Sequence, residues 1–245
     1  MGTEWTIVPV LAVIFVATLI RSAFGFGEAL VAVPLLARLI PVQEAVPLAT
    51  LVSITVAGIV VAQDWRHIHI RSAGWLVLST LFGIPLGLWV LTNVAEPIVK
   101  AILAVFILGF SSYCLFSRRP YQLKNDRWAW LFGFVAGISG GLYGMNGPPL
   151  AIYGSLRHWS AERFRATLQG YFLAASLLGM CGYWLFGLWT PAVTRYYLWS
   201  LPLALAAILL GRALNQRMRG RLFLRYVHIG LLVIGTMLLI QSLRK

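Results

Sequence analysis

The sequence predicts an all-α polytopic membrane protein with two inverted repeats, each a broken re-entrant helical hairpin plus three transmembrane helices. Three observations predict this class: the composition, an internal repeat and the placement of the basic residues. Of the 245 residues, 60% are hydrophobic and 11% are charged, whereas a soluble domain is about half apolar and about a quarter charged. The composition therefore excludes a soluble globular enzyme, a disordered chain and a coiled coil.

The net charge of +13 comes from 20 Lys and Arg residues against 7 Asp and Glu residues. The basic residues form short clusters between long apolar runs, which is the pattern of membrane-protein loops and not of a nucleic-acid-binding surface. Cys114 and Cys181 lie inside apolar runs and form no disulfide framework or metal-binding set. We therefore expect membrane lipids as partners, and no nucleic acid, no cofactor and no metal ion.

Six apolar runs are long enough to cross a hydrocarbon core of about 30 Å as regular helices of roughly 20 residues. Three lie in the first half of the chain and three in the second. The predicted spans are residues 45–63, 72–95 and 97–117, then residues 166–187, 196–216 and 226–243. Residues 118–127 are predicted to be a cytoplasmic linker between a first repeat, residues 1–117, and a second repeat, residues 128–245.

Two other apolar stretches, residues 5–40 and 128–156, are interrupted by glycine and proline. The first contains Arg21 and Gly25-Phe26-Gly27-Glu28; the second contains a glycine-rich run that ends in Pro148 and Pro149. Glycine and proline destabilise a helix, so a break is expected in each stretch. Each stretch is too short for two full spans, and we therefore predict half-helices that meet at the break.

A shift of 117 positions relates the two halves of the chain. It aligns Phe15 with Phe132, Ser22 with Ser139, Gly27 with Gly144, and Ala49-Thr50-Leu51 with Ala166-Thr167-Leu168. If each broken stretch returns to its own side, most Lys and Arg residues fall on one face, as the positive-inside rule requires. If each crosses, they divide almost evenly. The returning arrangement leaves three crossings per repeat, which inverts the second repeat and places both termini outside the cytoplasm.

Two segments carry a family resemblance. Gly25-Phe26-Gly27-Glu28 with Pro34 and Thr50 resembles the first signature of the TauE/SafE sulfite-exporter family, and residues 137–150 with 166–168 resemble its second copy. The chain departs from the family pattern at Glu28, where glycine is usual. The resemblance implies a bacterial inner-membrane carrier of small sulfur-containing anions, such as sulfite or organosulfonates, and not an enzyme.

The broken helices indicate the same ligand class. A half-helix N-terminus exposes N–H groups and about half a positive charge, which suits a carboxylate, sulfonate or sulfite. The predicted substrate site consists of Gly25, Phe26, Gly27, Glu28, Thr50, Ser139, Gly141, Tyr143, Gly144, Asn146, Gly147, Thr167 and Gln169. In the alternative interpretation the glycines only permit close helix packing and the polar groups only cap the broken ends.

Glu28 and Arg21 are the predicted coupling or gating residues, because an ionisable side chain in an apolar segment is costly. Glu28 could bind and release a proton, or it could cap a helix or pair with Arg21. Arg21 could attract the anion instead. Arg163 and Arg165 could guide an anion from the cytoplasm, or they could be ordinary positive-inside residues. His228 is expected to form a hydrogen bond within the helix bundle.

Several functional alternatives stay open at this level. A passive anion channel would share the helix-end chemistry but lack alternating gates. A carrier of a small carboxylate is equally compatible with helix N-termini. A membrane enzyme finds little support, because the chain has no Cys-x-x-Cys and no His-Glu-x-x-His motif. The oligomeric state is open, including a homo-oligomer.

Overall fold

The computed structural model describes residues 4–93, 96–116, 122–143, 146–185, 187–217 and 221–243. These residues form α-helices and connecting turns, without a β-strand among them, which confirms the predicted all-α class. The helices are α1 (Glu4–Phe24), α2 (Glu28–Leu36), α3 (Val42–Asp64), α4 (Ile70–Asn93), α5 (Glu96–Phe116), α6 (Trp128–Tyr143), α7 (Gly147–Leu156), α8 (Ala161–Leu185), α9 (Pro191–Arg217) and α10 (Arg221–Leu243).

Among the described residues, four helical segments are long and apolar enough to cross a membrane. They are Thr6–Phe24, Gln43–His67, Ile70–Gly87 and Pro191–Arg217. Trp128–Gly140 and Arg225–Met237 are shorter apolar helical segments. The chain is thus a multi-pass membrane protein.

All six helices that the apolar runs predict begin earlier than those runs, and α8, α9 and α10 each begin five residues earlier. α8 begins at Ala161 and not at residue 166, because the Ser160 hydroxyl accepts the N–H of Arg163 at 3.3 Å and caps the helix. α9 begins at Pro191 and not at residue 196, with the Thr190 hydroxyl accepting the N–H of Val193 at 3.3 Å. Capping hydrogen bonds, and not hydropathy, determine where α8 and α9 begin. As a consequence, α8 includes charged residues in its first two turns.

The first predicted break lies between α1 and α2. Gly25 and Gly27 both have left-handed backbone conformations, with φ of 86° and 98°, which glycine adopts without the steric cost that other residues incur. The Gly25 N–H donates to the Arg21 carbonyl oxygen at 2.6 Å and closes the last turn of α1. α2 then starts at Glu28 and packs back against α1.

The second predicted break lies between α6 and α7. α6 ends at Tyr143 and α7 begins at Gly147; Gly144 and Met145 lie outside the described residues. Pro148 and Pro149 occupy the first turn of α7, where their missing N–H groups cost little. All ten residues of α7 are buried. Both glycine-rich stretches therefore separate a longer helix from a short one.

The chain divides into two compact units. The first unit comprises the described residues of Met1–His69 and Arg165–Arg217, and contains α1, α2, α3, most of α8, and α9. Its apolar core includes Val10, Ile14, Val52 and Ile208. α9 approaches α1 so closely at Gly211 that a Cβ there would lie 2.4 Å from the Ser22 Cβ.

The second unit comprises the described residues of Ile70–Phe164 and Met218–Lys245. α4 packs along α6, and α5 packs along α10. A Cβ at Gly83 would lie 2.2 Å from the Phe134 carbonyl oxygen, and the Thr80 hydroxyl donates to the Gly133 carbonyl at 2.8 Å. The glycines of α4 and α6 thus allow direct backbone contact between these two helices.

Each unit combines helices from both halves of the sequence in an equivalent way. In the first unit α1 packs against α9; in the second unit α6 packs against α4. Under the 117-residue shift α6 is the counterpart of α1, and α4 is the counterpart of α9. This equivalence supports the internal duplication, while the inverted orientation of the two repeats stays a prediction.

Candidate functional site

A buried ionic cluster lies at the first helix break, in the first unit. Arg21, in the last turn of α1, is 3% exposed, and Glu28, the first residue of α2, is 5% exposed. The guanidinium Nη1 of Arg21 donates to Oε2 of Glu28. A charged pair inside an apolar segment is costly to bury, and such pairs are functional candidates in membrane proteins.

Three further side chains complete the surroundings of the guanidinium. Nη1 of Arg21 also donates to Oγ of Ser53 at 2.6 Å, and Nε and Nη2 donate to Oε1 of Gln169 at 3.0 and 2.8 Å. The ring centroid of Phe172 lies 4.8 Å from Cζ of Arg21, within the range of a cation–π contact. We refer to Arg21, Glu28, Ser53, Gln169 and Phe172 as the Arg21 cluster.

The break itself brings the two charges together. In a continuous helix, residues seven positions apart are separated by about 10 Å along the axis. The left-handed glycines at positions 25 and 27 turn the chain so that Glu28 faces Arg21 directly. The carboxylate then sits at the N-terminus of α2, where the helix dipole favours negative charge.

Gln169 forms hydrogen bonds with both the Arg21 guanidinium and the backbone of the break between α1 and α2. Its side chain is fully buried; Oε1 accepts from Arg21, and Nε2 donates to the Gly25 carbonyl at 3.4 Å. Oγ of Ser53 lies 2.7 Å from Oγ of Ser176, which links α3 to α8. The cluster therefore draws on four helices, α1, α2, α3 and α8, all within the first unit.

The structure thus brings together Gly25, Gly27, Glu28, Gln169 and Arg21, which the sequence analysis selected. Phe26 lies in the same break and is buried.

Two other selected residues of the first unit have contacts elsewhere. The Thr50 hydroxyl donates to the Val46 carbonyl of its own helix at 2.9 Å. The Thr167 hydroxyl accepts the N–H of His69 at 3.0 Å. The first bond is local to α3, and the second joins α8 to the turn before α4.

The selected residues of the second unit lie at the end of α6 and the start of α7. The Ser139 hydroxyl donates to the carbonyls of Val135 and Ala136 within α6, at 3.0 and 3.1 Å. Asn146 precedes the first turn of α7, and Gly147 is buried. Gly141 and Tyr143 belong to the last turn of α6, and Gly144 lies outside the described residues.

The expected hydrogen bond of His228 is present in the second unit. Oγ of Ser155 lies 2.8 Å from Nε2 of His228, and both residues are buried. The bond joins α7 to α10, so His228 holds the short helix within its unit.

Ser53, Phe172 and Ser176 were not selected from the sequence. A signal was available, because Gln169, Phe172 and Ser176 are spaced i, i+3 and i+7 and therefore share one face of α8. Apolar and small polar residues at this spacing are also typical of ordinary helix packing. The sequence does not reveal which helix faces them, so it does not distinguish a site from a packing surface. Ser53 has no comparable signal.

The fold and this cluster define a multi-pass membrane protein with a buried ionic site at a helix break. A family model described as "Sulfite exporter TauE/SafE" matches residues 10–238, nearly the whole chain. The chain belongs to the TauE/SafE sulfite exporter family, which confirms the resemblance and makes it a member of a transporter family. No curated protein and no solved structure matches the chain.

Proposed function

We propose that this protein is a secondary transporter of small sulfur-containing anions, sulfite or organosulfonates, in the bacterial inner membrane. The observation that carries the proposal is the buried Arg21 guanidinium, paired with Glu28 at a helix break. Membership of the sulfite exporter family supports the substrate class. Arginine suits sulfite and sulfonate because its planar donors match two oxygens of one oxyanion.

Glu28 acts as an internal anion that competes with the substrate. Its carboxylate uses Nη1 of Arg21, one of the donors that an incoming oxyanion requires. When Glu28 takes up a proton, its attraction to the guanidinium weakens and the substrate anion replaces it. The Ser53 hydroxyl, which lies 2.6 Å from Nη1, can donate to the bound oxyanion.

This exchange keeps the buried site electrically neutral in both states. Without substrate, the positive Arg21 pairs with the ionised Glu28. With a monovalent substrate, such as hydrogensulfite or a sulfonate, the positive Arg21 pairs with the anion, and Glu28 is protonated and neutral. Since an uncompensated charge is expensive inside a membrane protein, the state with anion but no proton is disfavoured. Anion and proton therefore move together.

Counterflow in proteoliposomes tests the transport. Purified full-length protein is reconstituted, the vesicles are loaded with unlabelled sulfite under argon, and uptake of ³⁵S-sulfite is measured. We expect saturable uptake that depends on the internal sulfite, and its loss in the Arg21→Gln variant. Flux that is unsaturable and independent of internal sulfite would instead identify a passive channel.

A small carboxylate is the second candidate substrate, favoured by the observation that the ligand of Arg21 in this structure is itself a carboxylate. A competition experiment distinguishes the two candidate substrate classes. Acetate and methanesulfonate, which have similar size and the same charge, are compared as inhibitors of ³⁵S-sulfite uptake. Stronger inhibition by methanesulfonate supports the sulfur-anion assignment, and stronger inhibition by acetate contradicts it.

We further propose that the repeats are inverted and that both termini lie in the periplasm. The support is the concentration of basic residues on one predicted face and the equivalent helix pairing within the two units. The proposed partners are the small anionic substrate and membrane lipids.

A further inference from the structure

Arg165 begins the second turn of α8, and only 1% of its surface is exposed. Nη1 donates to Oδ2 of Asp64, the last residue of α3, at 2.6 Å. Nε and Nη2 are buried and find no hydrogen-bond partner among the described residues. A buried donor without an acceptor costs about 1–3 kcal/mol and more for a charged group, so native structures rarely contain one.

The two nitrogen atoms are adjacent. Nε and Nη2 lie on one edge of the guanidinium plane, and their N–H groups point in nearly parallel directions. This is the edge with which arginine binds two oxygens of a carboxylate, sulfonate or phosphate. Asp64 occupies only Nη1, and it therefore orients the guanidinium without using that edge.

The local charge also favours an anion. Asp64 accepts from a second arginine, Arg212, whose Nη2 lies 3.0 Å from Oδ1. Two guanidinium groups thus share one carboxylate. We refer to Asp64, Arg165 and Arg212 as the Asp64 triad; it has one positive charge in excess.

Arg212 binds the same carboxylate in a different way. Its side chain is 32% exposed, and it donates Nη2 to Asp64 and Nη1 to Oε1 of Gln63 at 2.9 Å. Arg165, in contrast, is nearly inaccessible, and the two nitrogens of its two-donor edge have no hydrogen-bond partner among the described residues.

The triad lies next to the Arg21 cluster along α8. Arg165 and Gln169 are four residues apart, hence on the same face of the helix and separated by about 6 Å along its axis. Gln169 is the residue whose side-chain oxygen accepts from Arg21. An oxyanion bound to Arg165 is therefore one helical turn from the level of the Arg21 cluster.

We propose that the Nε–Nη2 edge of Arg165 is a second anion-binding site, which holds sulfite or a sulfonate before or after its passage through the Arg21 cluster. The identity of the anion rests on the proposed function, whereas the site itself rests on the Asp64 triad. Its test is arranged so that either proposal can fail alone.

Equilibrium dialysis of ³⁵S-sulfite against the full-length protein in detergent, under argon, measures both sites. Arg165→Lys keeps the charge and one bond to Asp64 but removes the two-donor edge. Arg66→Lys is the control, at an exposed arginine two residues after Asp64. We expect wild type and Arg66→Lys to bind two sulfite ions per chain, and Arg165→Lys to lose one of them or to bind it at least about ten-fold more weakly.

The Arg21→Gln background separates the two proposals. We expect this variant to retain one sulfite site, and the double variant Arg21→Gln/Arg165→Lys to retain none. If Arg21→Gln binds sulfite as wild type does, the proposed substrate site is wrong. If the double variant binds like Arg21→Gln, the Arg165 site is wrong.

A second variant keeps the proposal testable if Arg165→Lys does not yield a monodisperse protein. Asp64→Asn removes the carboxylate and raises the charge of the triad, so an anion site at Arg165 should bind sulfite more tightly, by about ten-fold. If the Asp64 triad is solely structural, Asp64→Asn should lower the stability of the protein without raising its affinity for sulfite. Unchanged or weaker sulfite binding in Asp64→Asn would overturn the proposal.

Discussion

At the residue scale, the role proposed for Glu28 predicts that anion binding depends on pH. Because a protonated Glu28 leaves Arg21 to the substrate, anion binding should strengthen as the pH falls. Methanesulfonate is the suitable probe, since a sulfonate stays ionised across the working range. We expect wild-type affinity for methanesulfonate to increase at lower pH, and the Glu28→Gln variant to bind it with little dependence on pH, measured by thermal shift in detergent.

Glu44→Gln is the matched control for this measurement. Glu44 is a partly buried acid in the first turn of α3, in the same unit. It should keep the wild-type pH dependence. An unchanged pH dependence in Glu28→Gln would remove the coupling role and leave Glu28 as a structural partner of Arg21.

Gln169 allows a test of competition at Arg21. Gln169→Glu changes one amide to a carboxylate of the same shape, directly at Nε and Nη2 of Arg21. A second carboxylate competes with the substrate for the guanidinium, so we expect the affinity for methanesulfonate to fall about ten-fold or more at neutral pH and to recover partly at low pH. Gln43→Glu, exposed at the start of α3, should bind methanesulfonate as wild type does.

Gly27 tests whether the left-handed turn positions Glu28. With φ of 98°, Gly27→Ala should lower the free energy of unfolding by about 1–2 kcal/mol and weaken sulfite binding. Gly58→Ala is the control, since a Cβ at Gly58 has nothing within 4 Å. Thermal melts in detergent compare the two. Equal stability of both variants would show that the turn tolerates a side chain.

The same residues show how far the sequence predicts the site. Arg21 and Glu28 could be selected because charges in apolar segments are costly. Their pairing is one of the alternatives that the sequence leaves open, because the predicted break has no geometry until the backbone is known. It depends on the backbone conformation of Gly25 and Gly27. The contribution of Ser53 depends on how α3 packs in the first unit, which no local pattern encodes.

At the element scale, hydropathy predicts which segments are helical but not where they begin. α8 and α9 start about one turn before the predicted spans because Ser160 and Thr190 cap them. This difference has a consequence for the site. The apolar pattern places Arg165 in a loop just before a helix, whereas it lies within α8, four residues from Gln169.

The contact between α4 and α6 depends on glycine. A Cβ at Gly83 would lie 2.2 Å from a backbone oxygen of α6, so Gly83→Ala must push the two helices apart. We expect a loss of about 1–3 kcal/mol in stability, the usual cost of overpacking. Gly74→Ala in the same helix meets no atom within 4 Å and should be neutral or slightly stabilising. Thermal melts that rank the two variants in the opposite order would contradict this account of the contact.

At the scale of the whole molecule, duplication explains why each unit uses both halves of the chain. α1 packs on α9, and the equivalent α6 packs on α4. The sequence shift predicts that the halves are related, but not that helices are shared between the units in this manner. Local patterns describe single helices, whereas the assignment of helices to units depends on contacts between residues far apart in the chain.

The inverted orientation of the repeats makes a prediction about membrane sides. Three crossings separate the linker, residues 118–127, from the C-terminus if each broken stretch returns to its own side. A reporter fused after Lys124 should then lie in the cytoplasm, and one fused after Lys245 should lie in the periplasm. Alkaline phosphatase is active only in the periplasm and green fluorescent protein fluoresces only in the cytoplasm, so the pair gives opposite readings at each position. Four crossings per repeat would place both fusion points on the same side, and matching readings at Lys124 and Lys245 would therefore establish parallel repeats.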